Sequence, residues 1–187
     1  MENLTEFIKE SLVLNEAAGV FAWTFNHFNP EILQVGMCDK NMASKLNKKL
    51  NNYYTYFGTE NIKSRYVFVE WNDEKCHIVE LGNNIDQYWK KLEKSAADTL
   101  KGLTEDDDWE WENDIFCIDS ETMREYYKWE DINPEVLVEY IKEYIICSFV
   151  DCDSNSCAAI LDLQKHEVVL KGSDDIEFVD FTTHFDE

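Results

Sequence analysis

Two alternating apolar runs, residues 64–71 (SRYVFVEW) and 75–81 (KCHIVEL), meet at the polar pair Asn72-Asp73, and no other stretch constrains the fold as tightly. Successive side chains of a strand point to opposite faces, so two such runs joined by a short Asn/Asp turn predict an antiparallel hairpin. Directly afterwards the period changes. Ile85, Tyr88, Trp89, Leu92, Ala96 and Leu100 recur at three- and four-residue steps, which predicts an amphipathic helix over residues 84–103 with Gly102 near its end. A hairpin that runs into an amphipathic helix must cover its apolar face with that helix, so an α+β class is expected from these forty residues alone.

The rest of the chain extends this pattern. Leu4, Phe7, Ile8 and Leu12 stand at helical spacing over residues 2–14, and residues 19–24 (GVFAWT) and 31–38 (EILQVGMC) read as strands. Met42, Leu46, Leu50 and Tyr54 predict a helix over residues 41–56. Residues 104–114 (TEDDDWEWEND) read as an exposed acidic link into a strand at 115–118, and Asp119 or Ser120 can cap a short helix reaching Trp129. Asn133-Pro134 is a good N-cap followed by proline at the first helical position, opening a helix to about Ile146. Short strands are expected at 157–163, 167–170 and 176–181. With six glycines and two prolines in 187 residues, most turns fall to Asn and Asp, which tolerate left-handed backbone and bond their own main chain. The expected architecture is one α+β domain over residues 17–187, mainly an antiparallel sheet with helices packed on it, preceded by a leader helix at 1–16.

An apolar fraction of 44% with 14% aromatics is enough to build a core despite a net charge of -22. No apolar run approaches the ~18 residues of a spanning helix, and MENLTEFIKE lacks the basic start and apolar centre of a secretory signal. The six cysteines are scattered, several within apolar runs such as DIFCID and YIICSFV, and read as buried free thiols in a reducing cytosol. A cytoplasmic protein follows from these features.

The charge is unevenly placed. Residues 1–104 carry 14 acids and 12 bases, a net of -2, and residues 105–187 carry 25 acids and 5 bases, a net of -20, which together make the -22. A field of that sign repels nucleic acid and anionic membrane and attracts basic protein surfaces within a Debye length of ~8–10 Å. Direct nucleic-acid binding and membrane binding are therefore not expected.

Motifs for chemistry are sparse. Asp151, Asp153, Asn155 and Asp162 occupy positions one, three, five and twelve of a calcium-loop pattern, but Ser156 stands where the turn needs glycine and a strand-like AAILDL follows, so an Asp/Asn-rich connection is the plainer reading. Cys147, Cys152 and Cys157 are spaced by five, unlike the paired knuckles of zinc sites, and the nearest histidine is His166. Cys76 and His77 are adjacent, yet on a strand they point to opposite faces. No phosphate-binding glycine loop, dinucleotide fingerprint or serine elbow is present. The expectation is a protein that is not an enzyme and uses no cofactor or metal.

The acids themselves form a pattern. Glu135, Glu139 and Glu143 repeat every four residues, about 6 Å apart along a helix, and Glu121 and Glu125 repeat the spacing. Glu105, Asp106, Asp107, Asp108, Glu110 and Glu112 add six carboxylates around Trp109 and Trp111. Rows of anions at several-ångström spacing are similar to the phosphates of a DNA strand, which recur about every 3.4 Å. These acids are the candidate partner-binding residues, with Trp109 or Trp111 as the apolar anchor in the Lys/Arg groove of a nucleic-acid-handling protein. A merely solvated acidic surface is the plainer alternative, although solubility alone requires a smaller net charge.

The first ten residues, MENLTEFIKE, follow the pattern Met-x-x-x-x-Glu-Phe-Ile-x-Glu, and Ile8-Lys9-Glu10 and Leu14-Asn15-Glu16 each fit Leu/Ile-x-Glu. This segment resembles the capsid-targeting leader of internal head proteins of tailed bacteriophages, which a prohead protease cuts after such a glutamate. The resemblance covers residues 1–16 and implies processing after Glu10 or Glu16, packaging in the virion with the genome, and delivery to the host cell. In that setting the expected function is a phage-type anti-defence inhibitor or nucleic-acid decoy that blocks the basic surface of a host nuclease or effector. An immunity protein that neutralises a cognate toxin, and an internal virion protein, are the alternatives.

Overall fold

The structure, a computed structural model, describes residues 19–24, 33–38, 57–59, 62–71, 76–147, 157–172 and 176–180. The predicted helices over 2–14 and 41–56, the pair Asn72-Asp73, the cleavage positions Glu10 and Glu16, and Asp151, Asp153 and Asn155 lie outside them.

Strands β4 (Tyr66–Trp71) and β5 (Cys76–Gly82) pair antiparallel, from Val67 opposite Glu80 to Trp71 opposite Cys76, as the hairpin reading requires. On its other side β4 pairs antiparallel with β8 (Cys157–Asp162), which pairs antiparallel with β9 (Glu167–Lys171), giving the order β5-β4-β8-β9. A second four-stranded sheet has the order β10-β2-β1-β3, formed by β1 (Gly19–Thr24), β2 (Leu33–Cys38), β3 (Phe57–Thr59) and β10 (Ile176–Asp180). Its one parallel pairing is β10 with β2, so the molecule is mainly antiparallel. The short β3 has no counterpart among the strands read from sequence. The two sheets adjoin at both ends, β3 beside β5 and β10 beside β9.

Helix α1 (Ile85–Leu100) starts where Asn84 Oδ1 accepts the Gln87 amide at 3.1 Å, and its buried stripe is Tyr88, Leu92 and Ala96. It ends before Gly102, whose φ of +78° lies in the left-handed region that glycine enters without a side-chain penalty. Helix α3 (Pro134–Cys147) starts where Asn133 Oδ1 accepts the Val136 amide at 3.0 Å, and it buries Leu137, Val138, Ile141 and Ile145. These two helices pack on each other and on the β5-β4-β8-β9 sheet. Phe68, Ala158 and Ile160 meet them from the sheet, while Val67, Val69, Ala159 and Leu161, which alternate with these, are also fully buried. Both faces of the central strands are therefore shielded from solvent, and each buried Leu, Ile, Val or Phe contributes roughly 1.5–3 kcal/mol.

The fold is thus α+β. Its main departure from expectation lies between α1 and α3. The strand expected at 115–118 is confined to β7 (Ile118–Asp119), which pairs antiparallel with β6 (Glu110–Trp111), inside what read as an exposed link. The chain between them is turned by one side chain: Asn113 Oδ1 accepts the amides of Ile115 and Phe116, both at 3.0 Å, and its amide nitrogen donates to the Phe116 carbonyl. The following helix, α2 (Ser120–Tyr126), is capped by Asp119, which accepts the Thr122 amide at 2.7 Å. It stops short of Trp129 because Tyr127 is extended, and Trp129–Asp131 form a separate 3-10 turn.

Candidate acidic interface

Thr104 opens the acidic run. Its amide and Oγ1 donate to Asp107 Oδ2 at 2.7 and 2.8 Å, which holds the Asp107 carboxyl below the usual carboxylate range. Arg124 of α2 reaches across to Asp108 Oδ1 at 3.0 Å and donates to the Asp107 carbonyl. Strand alternation then sorts the residues: Asp108, Glu110 and Glu112 face solvent, whereas Trp109 and Trp111 turn inward. Asp108, Glu110 and Glu112 therefore present their carboxylates to solvent on the side away from the two indoles.

The tryptophans correct the sequence reading. Trp109 is 7% and Trp111 1% exposed; both belong to the core, and the Trp111 indole donates to Ser95 Oγ of α1 at 3.1 Å. Neither can serve as a partner's anchor without unfolding this region. The signal was present in the strict charged-aromatic alternation of Asp108 to Glu112, which on a strand puts both indoles on one face.

The acids divide into two groups. Asp108, Glu110, Asp119 and Glu121 line one shallow concavity together with Trp109 and Ser120. Close by, burial and then the charges of Glu110, Glu112 and Asp119 push the Cys117 thiol up. Burial and then the neighbouring Tyr126, Tyr127, Asp119 and Glu125 do the same to Tyr140. The carboxylates of β6, β7 and α2 thus share one neighbourhood, and Glu105 and Asp106 are exposed beside it. The stripe on α3 is broken up. Glu135 shares a different concavity with Lys90 and Lys94 of α1, Glu139 pairs with Lys142 at 2.6 Å, and burial, then the charge of Glu143, pushes the Tyr127 hydroxyl up. Helical spacing on its own did not register the lysines that the α1–α3 packing brings to this stripe.

Tyrosines missed by the sequence reading stand where exposed tryptophans were expected. Tyr126 is 66% exposed at the end of α2, tilted against Tyr140 of α3 with ring centroids 6.3 Å apart. Tyr140 stacks on Phe116 at 6.1 Å, Phe116 stacks on Tyr144 at 4.5 Å, and the Tyr144 hydroxyl donates to a carboxylate oxygen of Glu70 on β4. Burial and then that Glu70 bond push the Tyr144 hydroxyl up. The four rings come from three separate segments, so no local spacing could have announced them.

The remaining candidates resolve differently. Asp162 is 1% exposed and is held by Arg65 through contacts of 2.9, 3.0 and 2.6 Å, with the Gln164 and Lys165 amides donating to its Oδ1. This ties it to the β4–β8 pairing instead of leaving it as a calcium ligand. Cys117 and Cys147 are free but exposed, contrary to the expectation of buried thiols: Cys117 lies between the inward-facing Ile115 and Ile118, and Cys147 ends α3. Cys76 and His77 are successive residues of β5, and Cys152 lies outside the described residues. Among the described residues no group of three or more His, Cys, Asp or Glu is placed to hold a metal ion, and no described helix is long and apolar enough to cross a membrane. In comparisons with known proteins, the chain matches no family model, no curated protein and no solved structure.

Proposed function

We propose that this is an acidic binding protein that occupies the cationic, nucleic-acid-binding surface of another protein, as a phage-type anti-defence inhibitor or decoy would. The observation that carries the reading is the grouping of Asp108, Glu110, Asp119 and Glu121 around one concavity, where among the described residues Arg124 is the only cation in an ion pair with these acids. Fixed carboxylates on a folded scaffold meet a Lys/Arg groove without losing much conformational freedom, and their attraction acts over about a Debye length. The leader resemblance supplies the setting: a protein delivered with a genome benefits from covering the groove of a host nuclease. The reading makes the protein a binder and not a catalyst.

The test is capture from the native host at low and at high salt, followed by competition of the captured protein with duplex DNA. A partner that elutes with salt, is displaced by DNA, and is lost when the carboxylates of residues 105–112 are changed to amides is the expected result. A partner held equally at both salt concentrations and unaffected by those changes would rule the reading out.

A further inference from the structure

Resting on that reading, we propose that the ring ladder Tyr126–Tyr140–Phe116 selects arginine over lysine on the basic partner, with one guanidinium stacking on Tyr126 while the neighbouring carboxylates pair with its N–H groups. Tyr126 is 66% exposed, against 44% for Val169 and 41% for Ile146, and its ring face is open to a partner. Its inner side meets other rings. Behind it Tyr140, Phe116 and Tyr144 stack in sequence, the last fixed to Glu70, and Phe116 is presented by a turn that Asn113 closes.

Charge complementarity names the occupant. Glu125 precedes Tyr126 on α2, Asp119 caps the same helix, and Glu110 stands opposite Asp119 in the β6–β7 pairing, so anions border the ladder. Elsewhere the molecule satisfies such rings from within: Arg65 lies 4.9 Å over Tyr66, Lys142 5.2 Å over Trp89 and Lys91 5.9 Å over Tyr88. Among the described residues no cation lies over Tyr126, Tyr140 or Phe116. A planar guanidinium can stack on a ring face and still form a forked pair with a carboxylate, whereas an ammonium is a compact, strongly hydrated point charge. The surface therefore fits an arginine-bearing protein better than a lysine-bearing one of equal charge.

Titrating the full chain with nona-arginine and with nona-lysine at one ionic strength tests this. The expected result is binding of both, with nona-arginine tighter by roughly tenfold. Tyr126→Ala should remove that preference and leave the nona-lysine affinity unchanged, and Tyr126→Phe, which keeps the ring face, should restore it. Equal affinities in the wild type, or a preference that survives Tyr126→Ala, would overturn the ladder's role while leaving the acidic-surface reading intact. Failure of both peptides to bind would overturn both. A second copy of this chain or an apolar partner on the ladder would appear as dimerisation, or as binding that rises with salt, and would also count against the proposal.

Discussion

Carboxylates do two different jobs in this molecule, and the pair Arg65–Asp162 beside the segment from Asp108 to Glu125 shows the contrast. Asp162 ends β8 opposite Tyr66 of β4, takes three contacts from one guanidinium and two from a turn, and is held down to about 2, first by the Arg65 bond. Its charge is spent inside the protein. The acids of β6 and α2 are exposed, and the one ion pair there among the described residues, Arg124 with Asp108, leaves Asp108 91% exposed. Burial with a dedicated cation makes a carboxylate architectural, and exposure without one leaves its field available to a partner. Beneath the exposed acids lies a rigid floor, since Trp109, Trp111, Ile115 and Ile118 are all buried under them.

The largest effect that would break this contrast is loss of the floor. Trp111→Ala removes a fully buried indole and its bond to Ser95, and should destabilise the fold by about 3–5 kcal/mol in urea unfolding. A change under about 1 kcal/mol would mean that the acidic segment folds independently of the core. Next is Asp162→Asn, expected to lower the urea midpoint by less than Trp111→Ala does, because the Arg65 fork is left facing a neutral partner. The pH dependence sharpens the same point. The Asp162 carboxyl lies below its ordinary 3.8, so its contribution is fully present above about pH 4 and is lost as the pH falls through about 2. Acid unfolding of the wild type should therefore steepen in that window, and the Asn variant should lack this component. The smallest effect belongs to the exposed row: Glu112→Gln should change stability by less than about 0.5 kcal/mol, with unfolding midpoints that coincide. A large loss there would show that these acids are architectural after all.

The β4–β5 hairpin and the three helices of the described region were legible in the sequence because each rests on local signals: alternation, helical stripes, and caps at Asp119 or Ser120 and at Asn133. The acids were legible as acids, and the cost of burying a charge keeps most of them at the surface, with Asp162, paired to Arg65, the buried exception among the described residues. What local signals could not say was which acids have cations beside them. Glu139 and Lys142 are neighbours on one helix and could have been paired by spacing, but the approach of Glu135 to Lys90 and Lys94 depends on how α1 crosses α3. The Trp109–Trp111 segment was misread because acids on both sides made it look like a solvated link, and the alternation within it was the stronger signal.

By itself the sequence determined an α+β chain with its charge concentrated in the second half, since periodicity, capping and ionisation are properties of short segments. Tertiary structure alone decided which anions lie together, which of them meet a cation from a distant segment, and that the aromatic surface consists of Tyr126, Tyr140 and Phe116 and not of the tryptophans. The reason is physical: charge pairing and ring stacking act through space over a few ångströms, and here they join residues that the chain separates by up to 97 positions.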